Sequence, residues 1–177
     1  MTQRFFLRPH IRHSQADLLE ALTEAVEITK LDPATQWPAW KSWSEEHEQM
    51  RGRSMGPVMV RLLVSSIQRV AQANYRNQAV LHSARVALAA ERYRLANGNW
   101  PKTLEQLTPR FLAAVPLDPF AQGPLRLRHT TEGLVIYSVG PNEQDDGGDL
   151  EPTSNRDLRD VGFRLWHPDK RRQPSAD

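Results

Sequence analysis

The chain has 177 residues, a formal net charge of +2, 39% hydrophobic and 25% charged residues, which places it among ordinary globular proteins rather than disordered or fibrous ones. It contains no cysteine, so disulfides, thiolate metal sites, iron–sulfur clusters and thiol nucleophiles are excluded, while the redox compartment stays open. The pI of 9.2 looks basic mainly because 19 of the 23 cations are arginine, which stays charged at high pH, and no nucleic-acid partner follows from it.

The N-terminal MTQRFFLRPHIRH lacks the long apolar run of a signal peptide. Ser14 and Asp17 form a weak capping box, followed by Leu18, Leu22, Ala25, Val26 and Thr29 at helical spacing, and Asp32-Pro33 stops this first amphipathic helix. Its acids Asp17, Glu20, Glu24 and Glu27 fall in one stripe, facing water or a basic neighbour. Trp37, Trp40 and Trp43 recur every third residue in a segment broken by Pro33 and Pro38, which reads as a loop followed by a short helix. Aromatic residues at that spacing belong to a core more often than to a sugar-stacking or partner-binding surface.

Gly56-Pro57 opens the longest periodic segment, and Asn97-Gly98 with Pro101 beyond it closes it. One helix from Pro57 to Ala96 and two helices broken near Asn74 to Asn77 both fit. Its most apolar stretch, 58–70, is interrupted by Arg61, Ser65, Ser66, Gln68 and Arg69, short of the about 20 apolar residues a membrane span needs. Leu81, Ala84, Leu88 and Leu95 mark an expected buried stripe, and Ala84, Ala87, Ala89 and Ala90 permit close packing. Thr103 and Gln106 form a capping box for a short helix carrying Leu104 and Leu107. The prolines around Asp118 in VPLDPF exclude helix interior and central strand, leaving an ordered extended connection. Leu125 and Leu127 alternate with Arg126 and Arg128, Thr131-Glu132-Gly133 turns the chain, and Leu134 to Val139 completes a hairpin. Val161, Phe163 and Leu165 supply a third strand, and the residues from Asp169 onward read as a disordered tail.

Catalytic templates fail. His47-Glu48-Gln49-Met50-Arg51 has arginine where a zinc-protease helix needs its second histidine, and neither GxSxG nor GxGxxG occurs, so no enzyme is expected. The histidines at 10, 13, 47, 82, 129 and 167 lack metal-ligand spacing apart from His10 and His13. Arg61, Arg69 and Arg76 cluster on one side of the long helix with Arg85 and Arg92 nearly opposite, so no continuous phosphate groove forms. The segment from Gly140 to Asp160 concentrates Asp145, Asp146, Asp149, Glu151, Asp157 and Asp160 around Gly147-Gly148. Carboxylates and turn carbonyls suit a hard cation, although such a loop is more often a solvated turn.

Taken in order, Tyr93-Arg94, Gly98, Trp100-Pro101, Leu104 and Leu107, Pro116-Leu117-Asp118-Pro119-Phe120, Ser138-Val139-Gly140, Gly147-Gly148 and Asp160-Val161 resemble the globular half of type II secretion system major pseudopilins. The resemblance covers the C-terminal half. It implies extracytoplasmic assembly with a protein partner and a calcium-ordered loop, with Asp145, Asp146, Asp149 and Asp160 as side-chain ligands and Asn142 or loop carbonyls completing the shell. The family's prepilin cleavage site and apolar N-terminal helix are absent, so a filament subunit is not expected. The chain is similar instead to the pseudopilin-like tails of large uncharacterised bacterial proteins, which implies a C-terminal piece of an exported protein.

The expected fold is α+β: a long helix packed on a small three-stranded antiparallel sheet, with additional N-terminal helices. The segments are 1–56 helical, 57–168 pseudopilin-like and 169–177 tail. The leading function is a non-enzymatic structural or interaction module. The alternative is a cytoplasmic adaptor whose arginine-rich helix binds an acidic protein or nucleic acid.

Overall fold

The computed structural model describes residues 7–49, 55–150 and 159–171. Glu151 and Asp157 of the acidic segment, and the side chains of His10 and His13, lie outside what is described. Three α-helices, α1 (Leu7–Thr29), α2 (Pro33–Glu48) and α3 (Met55–Asn97), precede three strands, β1 (Arg126–Thr130), β2 (Gly133–Ser138) and β3 (Val161–Trp166). This is the α+β arrangement expected. The chain divides into two compact units, Met1–Ala73 and Asn74–Asp177. None of the helices is long and apolar enough to cross a membrane among the described residues.

In the first unit, α1 begins at Leu7, which puts Ser14 inside the helix rather than at its cap. The tryptophan segment is not a loop followed by a short helix but one helix from Pro33. Proline suits a first helical position, where its missing N–H costs nothing, and Pro38 removes a single ladder bond. The Asp32 carbonyl receives the amides of Thr35 and Gln36 at 2.8 and 3.2 Å, closing the first turn. Trp37, Trp40 and Trp43 are buried, as are Ala21, Ala25 and Ile28 of α1. Trp40 and Trp43 meet edge to face at 5.5 Å, a favoured aromatic geometry. Two acids of the α1 stripe have partners inside this unit: Glu24 accepts from the Trp43 indole at 3.0 Å with His47 Nε2 at 3.4 Å, and Glu27 pairs with Lys30 at 2.6 Å.

In the second unit, α3 shows no break at Asn74 to Asn77 and ends where Gly98 takes φ 77°. The buried stripe is not Leu81, Ala84, Leu88 and Leu95. Ala79, Ser83, Val86, Ala87 and Ala90 are buried, whereas the three leucines are exposed and Ala84 is half-buried. The face of α3 that carries Val86, Ala87, Ala89 and Ala90 is the one buried with the sheet's apolar side chains, although the leucine face is the more hydrophobic. Leu125, Leu134 and Ile136 join Val86, Ala87, Ala89 and Ala90 in one core, with Trp100, Leu104 and Leu107 beside them. The Trp100 indole donates to His167 Nδ1 at 3.3 Å. Leu104–Leu107 is a 3₁₀ turn whose Thr103 makes no side-chain cap, and Gln106 Oε1 accepts from the Lys102 amide at 2.7 Å instead.

The sheet order is β1-β2-β3, antiparallel throughout, with Leu127 opposite Ile136 and Leu165 opposite Leu134 on the helix side. Asp169 and Lys170 do not begin a disordered tail: Pro168–Lys170 is a 3₁₀ turn, and Arg171 donates to Glu91 at 2.9 and 3.0 Å. Glu91 also receives Arg94 at 2.7 Å, and these bonds hold its carboxyl down to about 2.

Candidate functional site

Alternation along β1 turns Leu127 and His129 toward the helix and leaves Arg126 and Arg128 on the sheet's outer face, opposite Tyr137 and Val135. The segment after β2 folds back over that face. Gly147 and Gly148 both take φ 75°, a left-handed conformation natural to glycine. A Cβ at Gly148 would lie 3.0 Å from Tyr137 Cε1 and 3.3 Å from Val135 Cγ1, so bare backbone is what lets the turn settle on β2.

The turn is fastened from β1 and β2. Arg128 donates to the Gly147 carbonyl, and the Tyr137 hydroxyl donates to Asp145 Oδ1 at 3.0 Å. The same oxygen accepts the Gly147 amide at 2.9 Å, and Arg126 Nη1 sits 3.4 Å from Asp145 Oδ2 as an ion pair without a directed hydrogen bond. Burial first, and then the bond to Asp145, push the Tyr137 hydroxyl up to about 12, so it acts as a fixed donor.

The expected ligands divide among these partners. Asn142 donates to Asp146 at 3.0 Å, Asp149 pairs with Arg159, and Asp145 belongs to Tyr137 and Arg126. Asp160 Oδ2 accepts the Gly148 amide at 2.7 Å. No three acids or histidines are placed to hold one metal ion among the described residues. Asp160 is the exception to this general pairing: it is buried, and its Oδ1 has no hydrogen-bond partner among the described residues. Burial raises its pKa, the backbone amides of Gly148 and Asp146 offset part of the rise, and the charges of Asp146 and Asp145 add to it. One unsatisfied carboxylate oxygen is of the donor type a hard cation takes, but it is far short of the six to eight oxygens of a calcium shell. Tyr137, Arg126, Arg128 and Arg159 escape a search for acids, although the leucine–arginine alternation of β1 already implies two arginines on the face opposite the core.

A second buried carboxylate joins two other motif segments. Asp118 Oδ1 accepts the Ser138 hydroxyl at 2.6 Å and the Phe120 amide at 2.9 Å, and Oδ2 accepts the Val139 amide at 3.0 Å. Ser138 Oγ in turn accepts the Gly140 amide at 3.2 Å. At Gly140, φ is 68° and a Cβ would meet the Arg159 carbonyl at 2.1 Å, so only glycine fits. The histidines whose side chains are described are also engaged: His47, His82 and His129 each bond a backbone carbonyl, and His167 takes the Trp100 indole.

Compared with known proteins, the chain matches no family model, no curated protein and no solved structure.

Proposed function

We propose that the chain is a non-enzymatic structural or interaction module of pseudopilin-like type, the C-terminal part of a larger exported protein, in which calcium orders the loop between β2 and β3. The observation that carries this reading is the bonding of Asp118. It ties the Pro116–Phe120 turn to Ser138–Gly140, two of the segments on which the resemblance rests, and their polar groups are used to hold the fold rather than presented to a substrate. The four histidines are likewise used internally.

The calcium part rests on Asp160 Oδ1, a buried oxygen without a hydrogen-bond donor among the described residues and with Asp145 and Asp146 near it. An ion there would relieve the repulsion from Asp145 and Asp146, and Asn142 or loop carbonyls would complete the shell. Extracellular sites of this kind bind at about 10⁻⁴ to 10⁻³ M. Thermal unfolding in a few millimolar calcium is expected to shift upward relative to chelator. A site filled to 100 times its dissociation constant would add about 2.7 kcal/mol. A transition that does not move, or moves equally in sodium at matched ionic strength, removes calcium from the reading. Fractionation of cells making the full native protein tests export separately, and a cytoplasmic location would favour the adaptor alternative.

A further inference from the structure

The second unit leaves one apolar face of α3 uncovered. Leu81, Leu88 and Leu95 are 63%, 69% and 70% exposed, while the opposite side of the helix carries the buried Ala79, Val86 and Ala90. The three leucines recur every seven residues, a spacing that drifts only about 20° per repeat and so keeps them on one line. Arg85 and Arg92, both exposed, follow the first two leucines by four residues and border that line on one side. Neither is paired with an acid among the described residues. Glu91 is the single acid in α3, and Arg94 and Arg171 already engage it.

Scattered exposed leucines are normal on protein surfaces, but an aligned series at the coiled-coil period is what a partner helix packs against. We propose that this face docks an amphipathic helix of a partner protein whose apolar seam is bordered by glutamate or aspartate. Charge selects the occupant. A second copy of the same face would set Arg85 and Arg92 against their own kind with no free acid in α3 to answer them. A nucleic acid would be drawn to the arginines but would leave the leucines facing phosphates. An acid-bordered helix satisfies both features, its apolar residues covering Leu81, Leu88 and Leu95 and its carboxylates meeting the arginines. This deepens the interaction-module reading and rests on it, but not on the cation in the loop, so either can fail alone.

The test is fluorescence anisotropy with the full chain, in chelator. The probes are a labelled designed helical peptide with leucine along its heptad seam and glutamate at the bordering positions, and a twin with lysine at those positions. The glutamate peptide is expected to bind, with the lysine twin at least tenfold weaker. Leu88→Glu, at an exposed position, is expected to leave the unfolding temperature unchanged and to weaken glutamate-peptide binding at least tenfold. The pair Arg85→Glu and Arg92→Glu is expected to reverse the preference between the peptides. No binding, equal binding of both peptides, or binding indifferent to Leu88→Glu would overturn the proposal. So would a concentration-dependent dimer, seen by light scattering and abolished by Leu88→Glu, which would assign the face to a second copy.

Discussion

Asp118 and Asp160 are buried to the same depth, 4% and 5% exposed, and end in opposite states. Asp118 sits in a turn braced by Pro116 and Pro119 and receives three donors from its own turn and from the end of β2. Asp160 leads into β3, receives the Gly148 amide with the Asp146 backbone also nearby, and keeps Oδ1 without a well-formed hydrogen bond among the described residues. A buried carboxylate is tolerated when its hydrogen bonds are complete and costly when they are not. The first region is thus a finished structural joint, whereas the second has room for one more interaction.

The largest expected effect breaks the finished joint. Asp118→Ala leaves the Ser138 hydroxyl and the Phe120 and Val139 amides without their acceptor, and loss of so many buried bonds should cost about 4 kcal/mol or more. Asp118→Asn, which keeps one acceptor oxygen, should cost distinctly less. Denaturant titration reads both, and a cost below about 1 kcal/mol for the alanine variant would mean that the joint contributes little.

A mainly apolar joint in the same unit gives a reference in which no carboxylate bonds the buried side chain. Trp100 is buried against the alanine face of α3, with the Arg94 guanidinium 5.4 Å from its ring. Trp100→Ala should cost about 3 to 5 kcal/mol by lost transfer and cavity formation. That cost should be independent of calcium, which separates general destabilisation from an effect at the loop.

Glu91 offers a third carboxylate, partly open to solvent and doubly paired. Arg94 and then Arg171 hold its pKa down from 4.5 to about 2. A depressed folded pKa means stability present above the unfolded value and lost as pH falls from about 4.5 toward about 2. With Arg171 partly exposed, screening reduces the contribution to about 1 to 2 kcal/mol. Glu91→Gln should flatten the acid limb of the stability curve over that window, and an unaltered limb would show that the clamp is not held in solution.

How far these regions are legible in the sequence differs for a physical reason. The elements around Asp118 announce themselves through proline, glycine and strand alternation, all local signals, and the hairpin and third strand appear where patterning puts them. Local patterning fails where tertiary contact decides between options. Leu81, Leu88 and Leu95 outrank alanine in hydrophobicity, yet the face that shares a core with the sheet is the one carrying Val86, Ala87, Ala89 and Ala90. Pro33 and Pro38 read as breaks, yet one falls at a first helical position and the tryptophan packing outweighs the bond lost at the other. The acids of the loop are visible by composition, whereas their pairing with Arg126, Tyr137 and Arg159 depends on a fold-back that no local pattern encodes.

The smallest expected effect, and the one that most sharpens the comparison, is at Asp160. Its pKa is raised by burial, so the charged form is the strained one: without a cation, stability should increase as pH falls through the raised folded value toward 3.8 and decline again as pH rises. Asp160→Asn removes the charge while an amide oxygen can still accept from Gly148. In chelator near neutral pH it should be neutral or stabilising by up to about 1 kcal/mol, the reverse in sign of the Asp118 variants. In calcium the same variant should lose the upward shift of the transition, while Asp149→Asn, which disturbs a pair with Arg159, should retain most of it. If Asp160→Asn instead destabilises in chelator as Asp118→Asn does, Oδ1 has a donor in solution and the two aspartates are equivalent joints. If both loop variants keep the full calcium shift, the ion binds elsewhere and Asp160 is not its ligand.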